Sequence, residues 1–168
     1  MDESRFGLQT ITRRRLTLPG VKPIGQHQFE FDNFQLYGIV APRTGEGYFE
    51  SRLSMKAAEF SDFLHAFAAE FPHRFHIILL DNARSHHAKA LTLPPNVRLL
   101  FLPPYAPELN PVERVWLALK SQLAWRCFPS LLLLQDALSD LIVALDPPTL
   151  RSLTAYPFLR HAISALTP

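Results

Sequence analysis

The chain has 168 residues, 48% of them hydrophobic and 19% charged, which is the size and mix of one globular domain with a substantial core and excludes fibrous, collagen-like and disordered classes. Its single cysteine, Cys127, excludes an intramolecular disulfide and reads as a structural thiol in a reducing compartment. A formal net charge of +2 is too small to announce a nucleic-acid partner by itself.

The first residues, Met1 to Arg5, are charged and lack the apolar stretch of a secretory signal. The segment from Asp2 to about Leu18 reads as a strand or hairpin arm, ended by the breakers Pro19 to Pro23. It carries the contiguous Arg13, Arg14 and Arg15, which spacing alone places on a solvated hairpin tip. Phe29 to Val40 is rich in aromatic and β-branched residues and predicts a half-buried strand; Pro42, Gly45 and Gly47 turn the chain into a short strand over Tyr48 to Arg52. From Ala57 to Phe71, apolar side chains at Phe60, Phe63, Leu64, Phe67 and Phe71 follow the spacing of an amphipathic helix.

His76 to Leu80 and Val97 to Leu102 are short apolar runs that predict central strands buried on both faces. Asn110 as cap and Pro111 as first residue then open a helix to about Leu123. A last helix is predicted over about Ser130 to Leu145. Asp136 and Asp140 lie in this most apolar part of the chain, and a membrane span would not hold two carboxylates at about 2.5 to 3.5 kcal/mol each. The expectation is a soluble cytoplasmic protein, one domain over residues 1–168, with a mixed α/β sheet covered by helices.

Two features carry chemistry. Asp81 closes a buried strand, at the edge of an α/β sheet where ligands bind; the alternative is that it only caps a turn with Asn82. Leu102 to Trp116 (LPPYAPELNPVERVW) leads a proline-rich turn into a helix whose first turn holds Glu113. Favourable interaction with the helix dipole, at about 0.3 to 1 kcal/mol, would place a carboxylate there too.

The string LLDNARSHHA (residues 79 to 88) followed by LFLPPYAPELNPVERVW (residues 100 to 116) is similar to the signature of the mariner superfamily of DDE transposases, in particular its bacterial insertion-sequence branch. The opening DESRFGL (residues 2 to 8) resembles the segment carrying that family's first catalytic aspartate, so the similarity runs over essentially the whole chain. The resemblance implies an RNase H-like fold, α/β, with a mixed five-stranded sheet flanked by helices. It implies metal-dependent DNA strand cleavage and strand transfer at transposon ends into a TA target, by a catalytic triad of Asp2, Asp81 and Glu113. Two divalent ions about 3.5 to 4 Å apart serve such in-line displacements, and Mg2+ or Mn2+ takes oxygen ligands of this kind. Acids converging without metal repel, so at least one pKa should rise.

With DNA implied, Arg13, Arg14 and Arg15 become candidate phosphate contacts, as do Arg114 and Lys120 beside the triad helix. His86 matches a histidine found after the family's second aspartate and is a candidate contact to the scissile phosphate, or a surface histidine on a short helix. Asn82 either orients Asp81 or shapes the turn; Trp116 is expected in the core. The interval from Asp81 to Glu113 is slightly shorter than in the family, a difference the loop near Thr92 to Asn96 can absorb. Helix-turn-helix DNA-binding domains precede the catalytic domain in the family, whereas only Met1 precedes Asp2. The expectation is therefore a catalytic half, working as a homodimer with a missing or separately encoded N-terminal half, nucleoid-associated when acting on DNA, and inactive or nearly so alone because Asp2 lies on a fraying end. The rival readings are an inactive remnant that keeps the fold, and an RNase H-like nuclease without strand transfer.

Overall fold

The computed structural model describes residues 1–88, 91–104, 106–159 and 161. Among the described residues the elements run in the order β1 (Asp2–Gly7), β2 (Asn33–Val40), β3 (Gly47–Arg52), α1 (Ala57–Glu70), β4 (His76–Leu80), β5 (Val97–Phe101), α2 (Val112–Gln122), α3 (Leu131–Val143) and α4 (Pro147–Thr154). Short 3-10 turns at Arg84–His87 and Pro107–Leu109 precede β5 and α2.

The five strands form a three-stranded antiparallel sheet, β1-β2-β3, and a parallel pair, β4-β5, rather than one continuous five-stranded sheet. Among the described residues the two are joined by one backbone bond, in which the Met1 amine donates to the carbonyl of Leu79 at 2.7 Å. β1 pairs along its length with β2, and the bond to β4 comes from Met1, the residue just before β1.

Each face of this array has its own core. On one, Phe60, Phe63, Leu64 and Phe67 of α1 pack with Tyr37, Ile78, Leu80 and Val97. On the other, Val112, Val115, Trp116 and Leu119 of α2, spaced as one helical face, pack with Phe6, Phe34 and Leu36 and are backed by α3. The alternation of β1 sends Asp2 toward α2 and Glu3 toward α1.

Several expected bounds shift. Phe29 and Phe31 are 70% and 69% exposed, so the predicted strand begins only at Asn33. Residues 8–32 form the arm between β1 and β2, closed by bonds from Leu8 to Asp32 and Thr10 to Gln28 and turning at Pro19 and Gly20. Among the described residues β4 and β5 are not buried on both faces, since Ile77 and Leu100 are 65% and 55% exposed. The helix expected from Asn110 has Pro111 at its cap position and begins at Val112, although the Asn110 Oδ1 does accept the Val112 N–H at 3.3 Å. α4 lies beyond the last predicted helix; Pro147 and Pro148 occupy its first turn, capped by Asp146. No helix of the described residues is long and apolar enough to cross a membrane.

Candidate active site

Asp2 opens β1 and is only 8% exposed. The indole Nε1 of Trp116 donates to its Oδ2 at 2.8 Å, and the Asn110 side chain donates to the Met1 carbonyl at 3.0 Å. These bonds, with that from Met1 to Leu79, tie down the end that was expected to fray. Gly38 faces Asp2 across the ladder, and a Cβ there would come within 2.6 Å of Trp116, so only glycine lets the indole lie across the sheet to Asp2. Burial first, and then the charge of Glu113, pushes the Asp2 carboxyl up from 3.8 to about 7, with the Trp116 bond acting against them.

Asp81 follows β4, with its side chain 53% exposed. Its Oδ1 accepts the Ala83 N–H at 3.0 Å, which is the turn-capping contact, and also lies 3.0 Å from the His86 Nδ1. Asn82 shapes the same turn: its amide donates to the Leu102 carbonyl, tying the end of β4 to that of β5. Glu113 is exposed on the first turn of α2. It lines a cleft of about 680 Å³ with Arg13, Glu108, Arg114, Lys120 and Tyr156. Among the described residues no three His, Cys, Asp or Glu side chains stand close enough together to hold a metal ion. Asp2 turns toward Trp116 and Asp81 toward Ala83 and His86, so the three acids do not close into one ligand shell in this conformation. The donor chemistry nevertheless fits a divalent cation: the groups are hard oxygens, and a buried carboxyl beside a second acid is relieved by positive charge.

The cationic candidates separate. Arg13 reaches the cleft while Arg14 is exposed, and the Arg15 guanidinium stacks 4.9 Å from the centre of the Trp125 ring. The run thus lies along the arm, not at its tip. Lys120 faces the same cleft; burial pulls its pKa down, while Glu113 and Asp2 hold it up. Arg114 donates through Nε to the Tyr156 hydroxyl at 3.2 Å.

His86 is neither on the surface nor free to meet a phosphate. It is 2% exposed, packed 4.5 Å from the Phe60 ring centre, with Nε2 donating to Glu3 Oε1 at 2.8 Å. Acceptors face both ring nitrogens, Nε2 meeting Glu3 and Nδ1 meeting the Asp81 carbonyl at 3.3 Å and its Oδ1 at 3.0 Å. Burial pulls its pKa down, but the bonds and charges of Glu3 and Asp81 outweigh that and raise it above 6.5. Sequence reasoning missed Glu3, the Trp116 bond to Asp2, and Tyr156. The period of two in β1 and the i, i+3 spacing from Glu113 to Trp116 would have indicated the first two.

The sequence model of the family described as DDE superfamily endonuclease matches residues 1–134. A curated relative, uncharacterized protein y4pE/y4sA of Sinorhizobium fredii, is 34% identical over 92 residues, covering 48% of this chain and 61% of that protein. Among solved structures, the chain is similar to the Mos1 transposase paired-end complex with left transposon end, with a TM-score of 0.68 and 21% identity, covering 92% of this chain and 50% of that one. The Mos1 mariner paired end complex with Mn gives a TM-score of 0.66 at 20% identity, again over 92% of this chain and 50% of that one. The fold is thus RNase H-like, and the chain spans about half the length of the solved relatives.

Proposed function

The chain belongs to the DDE superfamily endonuclease family, and from that premise we propose that it is the catalytic part of a mariner-type transposase that cuts DNA strands and joins a freed 3′-hydroxyl to target DNA. The observation that carries this reading is a buried Asp2 that feels the charge of Glu113, with Glu113 itself lining a cleft beside Arg13, Arg114 and Lys120. Acidic groups for a divalent cation and cationic groups for phosphates stand next to each other, as phosphodiester chemistry requires.

Asp2, Asp81 and Glu113 would hold Mg2+ or Mn2+, two ions in the active complex, and the metal would supply activation of the attacking oxygen and stabilisation of the leaving one. Two Mos1 complexes are described as holding Mn and Mg. Arg13, Arg114 and Lys120 neutralise phosphates along the cleft and set the strand in register. In cleavage a water oxygen forms the new P–O bond and the 3′-oxygen leaves; in strand transfer the freed 3′-hydroxyl attacks instead. Recognition of transposon ends, a TA target, a homodimeric assembly and an N-terminal DNA-reading half belong to the same proposal.

The test is incubation with supercoiled plasmid and a labelled DNA end bearing a 3′-hydroxyl, in Mn2+. Nicking and joining are expected, with nicking slowed about a hundredfold or more in Asp81→Asn. Nicking without joining would leave a nuclease. Nicking that ignores Asp81→Asn would overturn the proposal.

A further inference from the structure

Asp2 opens β1 and Asp81 follows β4, and among the described residues one hydrogen bond, from Met1 to Leu79, joins the two strands' ends, so something else must fix their relative position. Directly beneath them the Glu3 carboxylate, 2% exposed, accepts from His86 Nε2 at 2.8 Å, and His86 Nδ1 lies 3.0 Å from Asp81 Oδ1 and 3.3 Å from the Asp81 carbonyl. The chain Glu3–His86–Asp81 thus runs from β1 to the loop after β4. Phe60 packs against the imidazole and leaves it little room to turn. An imidazole whose two nitrogens both meet acceptors has one orientation, and that orientation fixes the Asp81 carboxylate.

We infer that Glu3 and His86 are positioning residues: Glu3 holds the His86 ring, and His86 aims Asp81 at the cation site it would share with Asp2. Glu3 adjoins Asp2 in sequence but points to the opposite face, so β1 supplies one acid to the site and one to its support. His86 therefore acts through Asp81 rather than on the DNA phosphate. This rests on the metal-site reading of Asp81.

A double-mutant cycle on the full chain separates the two, with Mn2+ alone as the titrant and calorimetric affinity as the readout. Asp81→Asn should weaken Mn2+ binding; if it does not, the metal-site reading itself fails. Given that loss, His86→Gln and Glu3→Ala should each weaken binding by about tenfold or more in the wild-type background, as loss of a ligand's hydrogen-bond support does. In the Asp81→Asn background each should change it less than about twofold, because the residue they position is gone. Glu3→Gln, which keeps an oxygen for His86 Nε2, should restore most of the affinity that Glu3→Ala loses. Equal losses in both backgrounds would overturn the inference, by making Glu3 a ligand or the effect merely structural. Melting temperatures establish that each variant is folded at the assay temperature. Where His86→Gln is not, the Glu3→Ala and Glu3→Gln arms decide.

Discussion

Asp2 is buried beside a second acid and holds one strong donor, the Trp116 indole. Replacing Trp116 by Phe keeps most of the ring and removes that donor, and a lost bond to a charged group should cost about 1.5 to 3 kcal/mol, read as a lower urea midpoint. Gly38→Ala should also lower stability, because the new Cβ would sit within 2.6 Å of the indole. Unchanged midpoints in both would separate Trp116 from Asp2. The raised carboxyl also sets a pH dependence. Unfolded, Asp2 releases its proton near 3.8; in the metal-free fold it holds it to about 7. Between those values the folded state binds the extra proton, so this group's contribution to stability falls as pH rises. His86, raised above 6.5, acts in the same sense, with stability present below 6.5 and lost as pH climbs through its folded value. The Met1 amine, pulled to about 6 by burial, opposes both. The informative quantity is therefore the difference from Asp2→Asn: between pH 7 and pH 5 the metal-free wild type should gain more melting temperature than the variant. Parallel profiles would contradict the burial of Asp2.

At the scale of elements, legibility followed the balance between pattern and packing. α1 and β4 were readable because their apolar spacing is also their buried face or ladder. Phe29 and Phe31 had the composition of a strand, but composition does not show that the arm carries them into solvent. α4 was not predicted; Pro147 and Pro148 open it, because proline suits a helix's first turn, where an N–H has no partner anyway. Asp81 and Glu113 were legible through the motif around them, whereas the support from Glu3 was not, since it joins residues far apart in the chain. The arm makes its own prediction. Arg13 shares the cleft with Arg114 and Lys120, whereas Arg14 and Arg15 lie along the exposed arm. The triple alanine variant of the cleft residues should flatten the salt dependence of DNA binding by nearly three phosphate contacts, about 0.9 in log slope for each. Arg14→Ala with Arg15→Ala should remove less. The reverse order would move the DNA path from the cleft to the arm.

For the whole molecule, the two cores on opposite faces hold β1 between α1 and α2, and the candidate acids arrive from three elements that meet at one end of it. The resemblance anticipated this fold, whereas the strands divide into a three-stranded sheet and a parallel pair, a long-range arrangement that local residue patterns do not show. The Trp116 indole bonds the Asp2 carboxylate and the Asn110 side chain bonds the Met1 carbonyl, contacts that oppose the fraying given as the reason to expect an inert chain. The central claim is that Asp2, Asp81 and Glu113 make one divalent-metal site, although they are not closed around an ion in this conformation. The measurement that reaches it most directly is calorimetric titration of the chain with Mn2+, beside Asp2→Asn, Asp81→Asn and Glu113→Gln. The account predicts binding by the wild type and a loss of about tenfold or more in each folded variant. Wild-type affinity in all three variants would contradict it.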